Sequence, residues 1–452
     1  MDLSYKSAID VTEFQQRRVR LGAQLQNHSA LLVFSNQEQR RNNSNTYPFR
    51  QDSYFWYLTG FNEPDSALLI QRHDDTTTAT VFLRPSDPLM ETWNGRRLGV
   101  DNAPGKLLID NAFSIDEIAT QLPKLLSGAT ALYHAPDLQP WGDDITHAAL
   151  RHLREHARQG LKAPATLIDW RPLVDEMRLF KSPAEIALMQ QAGQITALGH
   201  IRAMKAARAN RFEYELESEL LHEFTRFGAR FPSYNSIVAS GENACILHYT
   251  ENESPLRDGD LVMIDAGAEF AMYAGDISRT FPVNGRFSPE QRAIYDIVLR
   301  AEKRAIELYV PGNSIKQANL EVLRIMLSGL IELGIIQGEV EQLIEEKAYL
   351  PFYMHGLGHW LGLDVHDVGD YGCERDRTFE PNMVLTVEPG LYLSEKLDIP
   401  AQYKGIGVRI EDNILITETG NKILTAAVPK EADDIERLMQ SAETSDAQQP
   451  TL

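Results

Sequence analysis

The sequence predicts a two-domain α+β protein, whose second domain contains an antiparallel sheet with helices on one side. At 452 residues, 43% of them hydrophobic, the chain is too long for one ordinary core and apolar enough for two. Its first part mixes short β-rich runs with helical stretches, which is an α/β pattern. In its later part the β-branched runs are mostly non-adjacent in sequence, which favours helices segregated from an antiparallel sheet.

The first and smaller domain is expected to cover residues 1–173. Runs such as ALLVFS and TATVFL predict strands, and apolar residues at helical spacing predict helices between them. The predicted strands are 30–35, 66–70, 78–83 and 131–134, and the predicted helices lie near 12–25, 115–126 and 143–157.

The second domain is expected to cover residues 174–440. Its first helix begins with Ser182, Pro183 and Glu185, a capping box with proline at the first helical position. Serine followed three residues later by glutamine predicts the start of two further helices. The predicted helices after the first are 212–227, 288–309 and 314–333, the predicted strands lie within 260–267, 273–283, 383–392 and 407–417, and the polar tail 441–452 is expected to be disordered.

Charge and composition exclude several classes of partner. A formal net charge of −20 repels nucleic acid and anionic membrane surfaces. The chain has no run of about 18 apolar residues, so we expect no membrane span, and its first residues do not resemble a signal peptide. The two cysteines, Cys245 and Cys373, lack a CxxC spacing, which favours a reducing compartment. We therefore expect a cytoplasmic protein.

Two aspartates, Asp265 and Asp276, lie in runs of mostly apolar residues that are expected to be buried. An unpaired carboxylate in such a strand costs several kcal/mol. If the two runs form a hairpin that turns near Phe270 and Ala271, the two aspartates lie directly opposite each other. Two like charges at that distance repel unless one is protonated or a cation lies between them. Three explanations of the two aspartates remain open at this point: a protonated pair, a bound cation and a helix cap.

Three of the twelve histidines, His355, His359 and His366, fall within twelve residues. The first two have the HxxxH spacing of a helical zinc site. Gly356 and Gly358 disfavour a helix, however, and no glutamate follows the first histidine, so this interpretation fails. A site on a loop or at a strand end remains, beside the alternative that each histidine is structural.

Two later strands place further charged residues. Glu388 follows Val384 and Thr386 at the end of one predicted strand. Arg409 and Glu411 are two residues apart, so they share one face of another strand. Each of these charges alone is also compatible with a solvated surface strand.

Taken together, these residues form one chemical set. Four carboxylates and one imidazole are hard, oxygen-rich ligands, and four negative charges balance two divalent cations. Such a set suits Mn²⁺ better than Zn²⁺, which prefers more nitrogen or sulfur. Two metals bridged by carboxylates lower the pKa of a bridging water and hold a hydroxide that attacks a carbonyl. The set therefore indicates hydrolysis.

From Phe180 to about Thr425 the chain resembles the creatinase/methionine aminopeptidase superfamily, whose pita-bread fold holds two metals with Asp, Asp, His, Glu and Glu in this order. The resemblance is strongest to the aminopeptidase P family. It is carried by YPFRQDSYFWYLTGFNEP, WNGRRLG, SYNSIVASGENACILHY, HGLGHWLGLDVHD, VEPGLY and GVRIED. It implies a pita-bread domain behind an N-terminal domain for access or oligomerisation. The implied metal ligands are Asp265, Asp276, His359, Glu388 and Glu411, and His248, His355 and His366 are implied to line the site.

The resemblance also implies a substrate and a mechanism. The substrate is a peptide with a free amino terminus and proline second, and the bridging hydroxide attacks the carbonyl before proline. We expect Glu388 to carry the proton to the leaving nitrogen, and His248 and His366 to stabilise the oxyanion. Arg409 is expected to orient Glu411, with Tyr392 as a further supporting residue.

Three alternatives remain. A prolidase would share the metal site but cleave only Xaa-Pro dipeptides, and a non-catalytic pita-bread protein would only bind peptides or partners. A methionine aminopeptidase would resemble the second half alone.

Trp93 lies beside Asn94 and Gly95. We expect the protein to be a homo-oligomer, a dimer or tetramer, in which Trp93 lies near the active-site mouth of a neighbouring subunit.

Overall fold

This computed structural model describes residues 9–446, which form two compact units. Within the described residues the first unit ends at Arg178 and the second begins at Leu179. The boundary predicted from the sequence lies between residues 173 and 174. The difference arises because helix 171–179, which the sequence analysis did not identify, belongs almost wholly to the first unit.

The first unit contains helices and a mixed sheet. The helices are α1 Val11–Gln24, α2 Ser53–Thr59, α3 Pro88–Asn94, α4 Ala103–Leu107, α5 Ile118–Leu126, α6 Pro140–Glu155 and α7 Arg171–Leu179, and the strands are β1 Ser29–Phe34, β2 Ala67–His73, β3 Thr76–Leu83, β4 Asn111–Ser114, β5 Ala131–Tyr133 and β6 Thr166–Ile168.

The strand order in the sheet is β4-β3-β2-β1-β5-β6 within residues 9–178. Neighbours β1–β2 and β2–β3 pair antiparallel, whereas β3–β4, β1–β5 and β5–β6 pair parallel. Leu32, Leu69, Phe82 and Leu132 form part of the core of this unit.

The second unit combines long helices with small sheets whose strand pairings are all antiparallel within residues 179–446. The predicted α+β class is therefore confirmed. The helices are α8 Pro183–Ala206, α9 Glu213–Arg226, α10 Pro289–Leu308, α11 Ile315–Glu332, α12 Val340–Glu345 and α13 Ala432–Asp446, and the strands are β7 Phe231–Pro232, β8 Ile237–Ser240, β9 Leu261–Ala266, β10 Ala268–Phe270, β11 Tyr273–Ala274, β12 Ile277–Pro282, β13 Val384–Val387, β14 Gly390–Leu393, β15 Ile406–Arg409, β16 Asp412–Ile416 and β17 Asn421–Ile423.

Helix starts follow the capping pattern of the sequence. The Ser182 hydroxyl accepts a hydrogen bond from the backbone N–H of Glu185, and the backbone N–H of Ser182 donates one to the Glu185 carboxylate. Ser288 forms the same pair of bonds with the backbone and side chain of Gln291. At Ser314 only the serine half of the box is present. Each cap satisfies backbone N–H groups that have no partner inside the helix.

The strands of the second unit separate a core face from a second face. On β9, Ile264 lies in the apolar core, whereas its neighbour Asp265 lines a cavity. On β15, Val408 lies in the core and Arg409 lines the same cavity. Because successive side chains of a strand point to opposite faces, the sheets carry the core on one side and the cavity on the other.

The hairpin that carries the two aspartates has a different register from the predicted one. Asp265 pairs with Ser278, not with Asp276. The turn lies at Ala271 and Met272, both with a positive φ, one position later than expected. The predicted direct opposition of the aspartates is therefore wrong by two residues. Because this shift is even, both aspartates still lie on the same face of the hairpin.

The C-terminal segment also differs from the expectation. Helix α13 continues to Asp446, so the first residues of the predicted irregular tail are helical, while 447–452 lie outside the described residues. The helix is anchored because Ala432, Ile435 and Met439 pack into the core of the second unit. No helix within residues 9–446 is long and apolar enough to cross a membrane.

A fully buried ion pair supports the chain at Glu411, which lies between β15 and β16 and not within the single predicted strand. Arg279 Nη2 donates to Asp412 Oδ1 at 2.9 Å, and Nη1 donates to the backbone carbonyl of Glu411 at 2.6 Å. We expect Arg279→Met to lower the free energy of unfolding by about 3–5 kcal/mol, because Asp412 loses a buried partner. Arg304→Met, which removes an exposed pair with Glu307, is expected to cost less than about 1 kcal/mol. Denaturant titration measures both, and equal losses would contradict the prediction.

Candidate metal centre

The second unit contains a cavity of about 600 Å³ on the polar face of its strands. All but one of the site residues predicted from the sequence line this cavity. The exception, Tyr392, is buried behind it, where its hydroxyl contacts Arg409 and His355. The cavity-lining residues among those predicted are His248, Asp265, Asp276, His355, His359, His366, Glu388, Arg409 and Glu411.

Three of the predicted ligands form a compact cluster. Asp276, His359 and Glu411 each offer one ligand atom, and these atoms all lie within 4.8 Å of one another. Nε2 of His359 lies 3.4 Å from Asp276 Oδ2 and 3.4 Å from Glu388 Oε1, which adds a fourth predicted ligand to the group. These side chains come from three distant parts of the chain and meet only through the fold.

The histidine segment is irregular rather than helical, as predicted. It lies against β13, where Thr386 N donates to the His359 carbonyl at 2.9 Å. The approach is so close that a Cβ on Gly358 would lie 2.1 Å from the Thr386 carbonyl oxygen. His359 Nδ1 lies 3.0 Å from the Trp360 carbonyl, and since a carbonyl only accepts, Nδ1 carries the proton. Nε2 is therefore the nitrogen available as a ligand.

Tyr234, which the sequence analysis did not single out, links the two aspartates. Its hydroxyl contacts Asp276 Oδ1 and lies 2.5 Å from Asp265 Oδ1. The other oxygen of Asp265 accepts a hydrogen bond from Arg409 Nη2 at 2.6 Å. A phenol has one proton to donate, so Tyr234 can satisfy only one of the two carboxylates at a time.

Arg409, which is expected to orient Glu411, does not contact it directly. Its Nη2 pairs with Asp265, and its Nε donates to the hydroxyl of Ser278 at 2.9 Å. The Ser278 hydroxyl in turn donates to Glu411 Oε2 at 2.7 Å. Arg409 therefore reaches Glu411 only through Ser278. The reason is the hairpin register, which places Ser278 opposite Asp265.

Asn413 is a second residue that sequence reasoning missed. Its side chain donates to the Asp276 carbonyl at 2.5 Å and accepts from the Asp276 backbone N–H at 3.0 Å, which fixes the backbone of this ligand. Strand periodicity contains a signal for it: Asn413 and Ser278 each lie two residues beyond a predicted ligand, hence on the same face of a strand. That signal alone does not name the partner.

Burial and the crowding of like charges raise the pKa values of the buried carboxylates. Burial raises the pKa of Glu388 to about 7, although the positive charges of His359 and Arg409 oppose the shift. Burial and the neighbouring carboxylates raise the pKa of Glu411 well above its ordinary value. The pKa of Asp276 is also raised, chiefly by burial and then by Asp265. Burial lowers the pKa of His359, but the hydrogen bond with Asp276 and the carboxylate charges outweigh it and raise the value to about 9. The cluster thus holds an excess of negative charge.

The other three histidines differ in how firmly they are held. His355 is fixed by the Gly356 carbonyl at 2.9 Å and the Tyr392 hydroxyl at 2.8 Å, and burial lowers its pKa to about 4. His366 is exposed to the cavity, with its ring packed edge-on against that of His359. His248 is exposed at the cavity edge.

Trp93 lies on α3 of the first unit, and its side chain is 79% exposed. The expectation that it reaches the mouth of a neighbouring active site stays a prediction.

The donor set fits divalent cations. Asp276, Glu388 and Glu411 have no lysine or arginine within ion-pair distance among the described residues, although all three carboxylates are largely buried. Oxygen-rich clusters of this kind suit Mg²⁺, Mn²⁺ and similar hard ions, and one imidazole widens the range to Zn²⁺ and Co²⁺.

Family models match both units. Residues 187–418 match metallopeptidase family M24, and residues 14–133 match the aminopeptidase P N-terminal domain. Together they cover most of the chain, and the first match contains all five predicted metal ligands.

Known proteins are similar to this chain over nearly its full length. The chain is 65% identical to Xaa-Pro aminopeptidase from Haemophilus influenzae, covering 97% of this chain and 100% of that protein, and 57% identical to Xaa-Pro aminopeptidase from Escherichia coli, covering 96% and 99%. Its structure is similar to that of zinc-substituted E. coli aminopeptidase P in complex with product, with a TM-score of 0.95, 56% identity and coverage of 96% and 99%. The chain therefore belongs to the aminopeptidase P family of M24 metallopeptidases, which confirms the family and the enzyme class predicted from the sequence.

Proposed function

We propose that this protein releases the N-terminal residue from peptides with proline in the second position. The reaction uses two divalent metal ions, and Mn²⁺ is the preferred metal. The observation that carries the proposal is the convergence of Asp276, His359 and Glu411 within 4.8 Å inside the cavity. Asp265 and Glu388 border that cluster, so five ligands are available for two ions. The relatives named Xaa-Pro aminopeptidase support the substrate class.

The metal ions would be held by Asp265, Asp276, His359, Glu388 and Glu411. Bound there, divalent ions would supply Lewis-acid chemistry and a hydroxide nucleophile at neutral pH for attack on the peptide carbonyl. The chain's own contribution is to hold these side chains in place. Ser278 and Arg409 fix Glu411 and Asp265 by hydrogen bonds, and Asn413 fixes the backbone of Asp276.

The bond before proline requires a proton donor. Proline's nitrogen carries no hydrogen in the peptide, so it must be protonated before it leaves the substrate. Glu388 is the candidate, because its carboxylate lies in the cavity between His359, at 3.4 Å, and His355, at 3.7 Å. A carboxylate in this position can accept a proton from the nucleophile and hand it to the leaving nitrogen.

The remaining cavity residues bind the substrate. His248 and His366 are exposed in the cavity and are the candidates to stabilise the oxyanion that forms at the attacked carbonyl.

Assembly and location belong to the same proposal. The protein is proposed to be a cytoplasmic homo-oligomer. Both cysteines are free, as a reducing compartment requires. Helix α3 exposes Leu89, Met90 and Trp93 by 68%, 37% and 79%, which is an apolar surface suited to contact with another copy.

Metal removal tests the proposal. The protein is stripped with a chelator, reloaded separately with Mn²⁺, Co²⁺ or Zn²⁺, and assayed on Xaa-Pro-Yaa peptides. We expect the stripped protein to be inactive and Mn²⁺ to restore release of the first residue most strongly. Failure of every metal to restore it would refute the proposal.

Three substrate controls separate the alternatives. Peptides with a blocked amine and Xaa-Ala-Yaa peptides are expected to resist cleavage, because the free amine and the proline are both recognised. Xaa-Pro dipeptides distinguish a prolidase: cleavage of dipeptides alone would replace the proposed activity by that one. Binding of Xaa-Pro-Yaa without turnover at full metal loading would favour a non-catalytic binding protein.

A further inference from the structure

A buried carboxylate outside the metal cluster gathers five hydrogen bonds. Glu213, at the first turn of α9, is fully buried. Its Oε1 accepts from the backbone N–H and the hydroxyl of Ser240, both at 2.8 Å, and from Asn243 Nδ2 at 3.1 Å. Its Oε2 accepts from the Tyr249 hydroxyl at 2.8 Å and from the Ser254 backbone N–H at 2.9 Å.

These bonds replace an ion pair. No lysine, arginine or histidine of the described residues lies within ion-pair distance of Glu213, so hydrogen bonds alone compensate its burial. A buried polar group that loses its partner costs free energy, and here one carboxylate satisfies donors from four residues at once. The arrangement is therefore a fixed connection between α9 and the segment 240–254.

That segment carries His248 to the cavity. Glu213 holds it at both ends, through the backbone N–H of Ser240 and of Ser254, and near its middle through Tyr249. His248 directly precedes Tyr249 and lines the cavity. Its imidazole makes no hydrogen bond to any described residue, so its position follows from the backbone of the segment.

We propose that Glu213 is a positioning residue that sets the place of His248 in the cavity through Tyr249 and the two ends of segment 240–254. The proposal rests on the proposed function, in which His248 contacts the reacting carbonyl. Glu213 itself does not line the cavity.

Glu213→Gln tests the proposal. Glutamine keeps the shape but turns one accepting oxygen into an NH₂ group that faces donors. We expect kcat/KM to fall by about 10- to 100-fold, as misplacement of a reacting group does, with the metal content unchanged. Glu217→Gln is the matched control on the same helix, since Glu217 accepts a single bond, from Asn252 at 3.1 Å. It is expected to stay within about twofold of the parent protein.

A double-mutant cycle separates positioning from general destabilisation. In a His248→Ala background, Glu213→Gln is expected to cause no further loss, because the residue it positions is gone. The same fold-loss in that background would overturn the proposal. If Glu213→Gln fails to fold, Tyr249→Phe removes one donor only and is expected to give a smaller loss that also vanishes with His248→Ala.

A readout independent of turnover keeps this inference distinct from the proposed activity. The imidazole signal of His248 in the NMR spectrum is identified by its absence from the His248→Ala protein. It is expected to shift and broaden in Glu213→Gln and to stay in place in Glu217→Gln. An unmoved signal in Glu213→Gln would overturn the positioning role even if the protein cleaves Xaa-Pro-Yaa. A moved signal in a protein that cleaves no peptide would refute the activity alone.

Discussion

Asp276→Asn is expected to reduce kcat/KM on Xaa-Pro-Yaa peptides by roughly 10³-fold, equivalent to about 4 kcal/mol of transition-state stabilisation. Asp276 belongs to the cluster in which ligand atoms lie within 4.8 Å, so it faces both His359 and Glu411. Asparagine preserves the size of the side chain but removes its charge, and a neutral carbonyl oxygen is a weaker ligand for a hard divalent ion. Bound metal per subunit is therefore expected to fall together with activity.

Metal analysis and peptide kinetics on the same preparation check this prediction. Asp258→Asn is the matched control, because Asp258 is exposed and accepts one hydrogen bond, from Asn284 Nδ2 at 2.8 Å. It is expected to leave both the metal content and the activity unchanged. An Asp276→Asn protein with full metal content and full activity would remove Asp276 from the site.

Glu388→Gln is expected to lower kcat by about 10²- to 10⁴-fold, the range that positioned proton transfer contributes. Glu388 lies just past the end of β13, and its Oε1 also lies 3.3 Å from the Thr386 hydroxyl, so the side chain is held in a defined place. Glutamine keeps one carbonyl oxygen as a ligand but cannot accept and return a proton. The metal content is expected to fall about as much as in Asp276→Asn, because each change leaves one amide oxygen, while kcat per bound metal falls strongly.

The comparison of kcat with metal occupancy decides the role of Glu388. If activity and metal content fall in proportion, Glu388 is a ligand only, and the proton carrier must be sought elsewhere in the cavity. Glu380→Gln provides the control, since Glu380 pairs with Arg377 near the molecular surface and does not line the cavity. It is expected to retain the kcat of the parent protein.

Local signals predicted most of the long elements. The helix that begins after Ser182 follows from its capping serine, its proline and its apolar spacing, and the structure places it at Pro183–Ala206. Short elements were missed: α2, α3 and α4 have 7, 7 and 5 residues, and windows of that length do not show a period. The last helix was missed because its end is polar, although Ile435 and Met439 anchor its start in the core.

The candidate ligands could be predicted because their residue types and motifs are local features of the sequence. Their mutual contacts could not. The hairpin register was wrong by two residues because the turn at Ala271 and Met272 carries no glycine or asparagine signal. That same register brings Ser278 opposite Asp265, so the part that Ser278 plays between Arg409 and Glu411 could not be predicted.

The sequence by itself determined the fold class and the family, and it predicted five candidate metal ligands, because periodicity, capping and motif spacing act over short stretches of chain. Only the tertiary structure decided which side chains support those ligands. Tyr234 and Asn413 contact the candidate ligand Asp276 through hydrogen bonds between residues that are 42 and 137 positions apart in the chain. Such bonds depend on register and packing, which no single stretch of sequence encodes.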